Sequence, residues 1–119
     1  MLKTNRLEAA LLFDLYGELL TEHQRKVWQL YWSEDWSLSE IGEAQATSRA
    51  AVHDILERSR HSLFDYEAKL GLLRSWRAKQ KALDDLRQVL LELPLEASWR
   101  ARVWAAYDRV AQEEGLGDV

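Results

Sequence analysis

The chain has 119 residues, 47% of them apolar and 30% charged, with a single Pro, a balance that suits one compact domain or a small domain with a helical extension and argues against disorder. It contains no Cys, which excludes disulfides and thiolate metal sites. A formal net charge of -4 does not suit indiscriminate attraction to phosphates, so any nucleic-acid contact must come from a local basic surface. Apolar runs such as Ala9 to Phe13 are too short to span a bilayer. Glu8, Asp14 and Glu18 stand where a secretory signal would be apolar. These features predict a cytoplasmic protein with no membrane insertion.

Leu7, Leu11, Leu12, Leu15 and Leu19 recur at helical spacing and predict a first amphipathic helix from Thr4 to Leu20. Thr21 and Gln24 form a capping-box pattern that opens a second helix, through about Tyr31, with Val27, Leu30 and either Trp28 or Tyr31 inward. Ser33-Glu34-Asp35 breaks it, and a second capping box, Ser37 with Glu40, opens a short helix around Leu38 and Ile41. Ala46-Thr47-Ser48 reads as a turn, with Thr47 or Ser48 capping the next helix. Val52, Ile55, Leu56 and Leu63 carry that helix forward, and Gly71 is its expected stop.

Leu72 to Leu93 is a further helical run, with Trp76, Leu83 and Leu90 seven apart and Leu86 and Leu93 on a neighbouring row. Pro94 ends it, because its ring disfavours helical geometry in the residue before it. Trp99, Val103, Ala106, Tyr107 and Val110 stripe a last helix, from about Leu95 to Glu114, which Gly115 should terminate. No segment alternates in the manner of a strand, and no repeat of 20–50 residues occurs. The expected architecture is all-α: a domain over residues 1–71 and a helical extension over residues 72–119.

Ser37 to Arg60 has the layout of a helix-turn-helix. Such a motif needs a small residue where its two helices approach, supplied by Gly42, and buried aliphatics, supplied by Leu38, Ile41, Val52 and Ile55. The opposite face of its second helix presents Arg49, Ala50, His53, Asp54 and Glu57 to a groove, where His53 either faces bases or is simply an exposed surface residue. Arg49, at the helix start, is placed to meet a phosphate or a guanine, helped by free backbone N–H groups and the positive end of the helix dipole. Arg58 and Arg60 can reach phosphates or pair with Asp54 and Glu57 one turn away.

Beyond the motif, Arg74, Arg77 and Lys81 share one helix face, which either follows a phosphate backbone or is simply solvated. Trp28, Trp32 and Trp36 are expected in core and edge packing, whereas Trp76, Trp99 and Trp104 are candidate anchors of a subunit or partner interface. Catalysis finds no footing: there is no Gly-rich phosphate loop and no nucleophile elbow, and His53 with Glu57 is too small a set to hold a metal. No enzyme, cofactor or metal is expected.

The stretch from Leu19 to Glu43, with the Leu-Thr-x-x-Gln-Arg helix start and the Ser-Leu-x-Glu-Ile core, closely resembles the YlxM-like helix-turn-helix family. So do Thr47 to Leu73, with Ser-Arg-x-Ala-Val-x-Asp, and the opening Lys-Thr-Asn-Arg. The resemblance implies a small bacterial all-helical protein, like the promoter-reading C-terminal domain of sigma factors, that regulates or assists the signal recognition particle pathway. It also marks departures. Gln45 replaces a usual large apolar residue, Ala46 a frequent Gly or Asn, and Thr47 a frequent Val. Ala50 stands where Gln is common and Glu57 where a basic residue is common; a lost bidentate base contact forfeits ~1–3 kcal/mol of discrimination.

Two functions follow as expectations. One is a DNA- or RNA-binding regulator, with Ser48, Arg49, His53 and Arg58 in contact and Arg74, Arg77 and Lys81 as further phosphate contacts. The other is an accessory that binds the signal recognition particle's protein subunit through its aromatic helices, with Trp76, Trp99 and Trp104 as anchors, keeping the helix-turn-helix as scaffold. The apolar stripes after Gly71 exceed what one lone helix could hide, so these helices are expected either to pack back on the domain or to form a symmetric homodimer, which would match the two half-sites that helix-turn-helix readers usually bind.

Overall fold

The computed structural model describes residues 5–113 of the chain. Six α-helices make up almost all of it: α1 (Arg6–Tyr16), α2 (Glu22–Trp32), α3 (Leu38–Ala44), α4 (Arg49–Leu70), α5 (Leu72–Glu92) and α6 (Ala97–Glu113). No strand occurs among the described residues, so the fold is all-α. The chain divides after Gly71 into two compact units.

In the first unit α1 is shorter than its leucine spacing predicts. Asn5 caps it, its side chain accepting from the Glu8 N–H at 2.7 Å, and the regular helix ends at Tyr16. A single 3-10 turn, Gly17–Leu19, then leads to an extended Leu20. The expected start at Thr4 lies outside the described residues. Leu7 and Leu19 are not core residues: both are more than half exposed. Leu11 and Leu12 are buried as their spacing predicts, and Ala9 and Tyr16 are buried with them. Tyr16 can be buried because its hydroxyl donates to Glu67 Oε1 of α4 at 2.7 Å.

α2 starts on the expected capping box, with Thr21 and Gln24 bonded reciprocally at 3.0 and 3.1 Å. It buries Val27, Trp28 and Leu30. α4 runs through the middle of the unit, packing on α1, α2 and α3. Its inward residues are Val52, Leu56, Ser59 and Leu63. Ile55, expected inside, is only half-buried, and Leu56 takes the central position. Ser59 is tolerated in the core because its hydroxyl donates to the Ile55 carbonyl at 2.8 Å. The helix stops where Gly71 takes a left-handed conformation, φ 66°, its N–H donating to the Glu67 carbonyl at 2.8 Å.

In the second unit α5 and α6 pack against each other. The turn between them begins beside Pro94, and the Arg100 N–H donates to the Glu96 carbonyl, so the regular helix starts at Ala97 rather than Leu95. Glu114 and Gly115, the expected end, lie outside the described residues. Tyr107 reaches across to donate its hydroxyl to the Leu83 carbonyl at 3.3 Å. Only Leu83 of the expected seam residues is fully buried; Trp76 and Leu90 are half-buried, and Leu86 and Leu93 are exposed. α6 has no fully buried residue.

Candidate nucleic-acid interface

The α3–turn–α4 segment is built from caps and one close approach. Ser37 opens α3: its hydroxyl accepts from the Glu40 N–H at 3.1 Å, while Glu40 Oε1 accepts from the Ser37 N–H at 2.9 Å. These bonds favour the ionised acid and hold the Glu40 carboxyl below its ordinary range. Leu38 and Ile41 turn inward.

The end of α3 has the bond pattern of a Schellman motif. The Ala46 N–H donates to the Glu43 carbonyl at 3.3 Å and the Thr47 N–H to the Gly42 carbonyl at 2.8 Å. That motif requires a left-handed residue, which here is Ala46 at φ 55°. A left-handed alanine carries a Cβ clash worth roughly 1–2 kcal/mol. The Gly or Asn that the family resemblance places at this position would avoid most of that cost.

Gly42 sits at the crossing. A Cβ on it would stand 2.8 Å from the Thr47 carbonyl oxygen and 3.4 Å from the Ser48 carbonyl carbon, so the turn closes onto a bare α-carbon. This contact fixes α4 against α3. Of the two expected caps, Ser48 is the one in use: its hydroxyl accepts from the Ala51 N–H at 3.0 Å.

With Val52 and Leu56 facing the core, the opposite side of α4 exposes Arg49, Ala50, His53, Asp54 and Arg58. Ser48 is exposed beside them. The four residues predicted for nucleic-acid contact are thus brought to one surface, in different electrostatic states. Arg58 pairs with Asp54 at 3.0 Å. Arg60 pairs with Glu57 at 3.3 Å and lies over the Phe64 ring, 5.7 Å from its centroid. Arg49 and His53 have no ion pair among the described residues. The surface therefore carries one unpaired guanidinium at the positive end of a 22-residue helix, beside two internally neutralised pairs.

Arg74, Arg77 and Lys81 are exposed on α5, in the second unit. Of the tryptophans named as interface candidates, Trp99 is half-exposed with the Arg102 guanidinium 4.7 Å over its ring. Trp104 is half-buried and meets Tyr107 edge-on at 5.4 Å, and Trp76 is half-buried with its indole N–H enclosed.

Sequence reasoning missed one linkage that steadies the motif. Arg6 of α1 pairs with Asp35 and donates to the Trp32 carbonyl at 3.1 Å, tying the start of α1 to the loop that leads into α3. Asp35 itself takes a left-handed conformation, φ 58°. An Asp after a broken helix was the only available signal. Among the described residues no group of three His, Cys, Asp or Glu could hold a metal, and no helix is long and apolar enough to cross a membrane.

Comparison with known proteins places these features. The model of the UPF0122 family, described as "Putative helix-turn-helix protein, YlxM / p13 like", matches residues 1–97. A UPF0122 protein of Symbiobacterium thermophilum is 44% identical over 92 residues, which are 77% of this chain and 86% of that protein. One from Listeria innocua is 44% identical over 88 residues, 74% of this chain and 78% of that protein. One from Clostridium kluyveri reaches 52% identity over 68 residues, 57% of this chain and 61% of its own.

Proposed function

Because the chain belongs to the UPF0122 family of YlxM- and p13-like helix-turn-helix proteins, we propose that it is a non-enzymatic, cytoplasmic regulator that binds nucleic acid through α4. The supporting observation is the Gly42 crossing, which presents Ser48, Arg49, His53 and Arg58 on one outward face of a helix anchored to three others. In this reading Arg49 meets a backbone phosphate, and Arg58 is recruited from Asp54 only on binding. The surface carries few groups for reading base edges, so phosphate contact supplies most of the affinity and sequence selectivity is modest. Arg74, Arg77 and Lys81 extend the phosphate contact. By its resemblance, the protein serves the signal recognition particle pathway.

The neutralised pairs Asp54–Arg58 and Glu57–Arg60 favour a second reading, in which α4 is scaffold and the protein binds the particle's protein component. Titration of fluorescent duplex DNA and RNA at several salt concentrations separates the two. The first reading expects a linear fall of log K with log salt and a slope reduced by about 1 in Arg49→Ala. Absence of binding to either nucleic acid at low salt, with retained binding to the particle's protein, selects the second.

A further inference from the structure

We infer that the second unit is a self-association module: the open groove between α5 and α6 receives the same hairpin of a second copy of this chain. The groove is about 350 Å³ and is lined by Leu83, Leu86, Leu90, Val103, Ala106, Tyr107 and Val110. Its walls are almost wholly apolar, the Tyr107 hydroxyl being turned to the Leu83 carbonyl. Of the large exposed apolar side chains in the described residues, Leu86, Val89, Leu91, Trp99 and Val110 lie on these two helices, and Leu93 directly follows α5.

Two amphipathic helices cannot bury both of their stripes against each other alone, and helical bundles close such a layer with further helices. The unit shows that deficit directly, since α6 buries no residue fully although its stripe is continuous from Trp99 to Val110. The area decides in favour of a second copy. Leu86, Val89, Leu93, Trp99 and Val110, each about half exposed, leave on the order of 400 Å² per chain to cover. Two copies with their backbone and rim then reach roughly the 1,000 Å² that a specific interface needs. The contact is isologous, the same groove and the same Leu86–Val89–Leu93 ridge on both copies, so it closes at two chains. It stands independently of nucleic-acid binding by α4.

Analytical ultracentrifugation of the full chain over a concentration series tests this. The expected result is a reversible dimer whose Kd rises by roughly 100-fold or more in Leu86→Asp and in Val110→Asp, because each buries a carboxylate in an apolar groove. Both side chains are about half exposed in one chain, so the helical circular-dichroism spectrum should persist. Leu91→Asp, exposed but outside the groove, should dimerise as the parent does. Hydrogen exchange on the parent gives a second readout: amides of residues 83–93 and 99–110 should lose protection on dilution. A parent chain that stays monomeric at high concentration overturns the inference. So does a dimer indifferent to both groove substitutions, or protection at these helices that does not depend on concentration.

Discussion

Gly42→Ala probes the contact on which the helix-turn-helix depends. Taken alone, the substitution should help α3, since alanine in a helix interior is favoured over glycine by about 1 kcal/mol. The structure opposes that gain. The new Cβ would stand 2.8 Å from the Thr47 carbonyl oxygen, a backbone atom that cannot rotate away. Moving Thr47 strains its 2.8 Å bond to the Gly42 carbonyl, which closes the Schellman turn. Overpacking costs typically 1–3 kcal/mol and a weakened hydrogen bond ~0.5–1.5 kcal/mol. The two penalties exceed the propensity gain, and a net loss of about 1–2 kcal/mol is expected. For a unit of this size that is a melting-temperature drop of roughly 5–15 °C. Thermal and urea unfolding by circular dichroism measure it, and nucleic-acid affinity should fall with it as α4 is displaced. A variant as stable as the parent, or more stable, would refute the crossing geometry.

Ala46→Gly should act in the opposite sense, relieving the left-handed alanine at φ 55°. Against the greater freedom of glycine in the unfolded chain, a net gain of about 0.5–1 kcal/mol remains in urea unfolding. Tyr16→Phe removes the hydroxyl bonded to Glu67 from a buried ring and should cost about 1–2 kcal/mol in the same assay. The Glu40 carboxyl has its folded pKa lowered, so its capping contribution is present above the ordinary glutamate range and is lost as pH falls through the folded value. Glu40→Gln should flatten that part of the acid limb; an unchanged pH profile would count against the capping role.

The caps and stops were legible in the sequence because each is a local rule: Thr21 with Gln24, Ser37 with Glu40, Ser48 and Gly71 act on backbone within a few residues. The glycine at the crossing was legible for the same reason, since only a missing Cβ admits the turn. Which leucines are buried was less legible. Leu7 and Leu19 fit the helical period but stand outside the core, while Tyr16 enters it through a partner 51 residues away. The state of the candidate surface also depended on side-chain geometry. Arg58 and Arg60 could have faced phosphates or their own helix, and in the free chain both turn to carboxylates. The Arg6–Asp35 tie, spanning 29 residues and a left-handed Asp, has no sequence pattern of its own.

The proposal that α4 contacts nucleic acid is tested most directly by mapping amide chemical-shift changes in the labelled protein as duplex DNA or RNA is added at low salt. The account predicts that the largest changes fall on residues 47–54, around Ser48, Arg49 and His53, with weaker ones at Arg58, and that Arg49→Ala suppresses them. Changes confined to α5 and α6, or none at either nucleic acid, would contradict it.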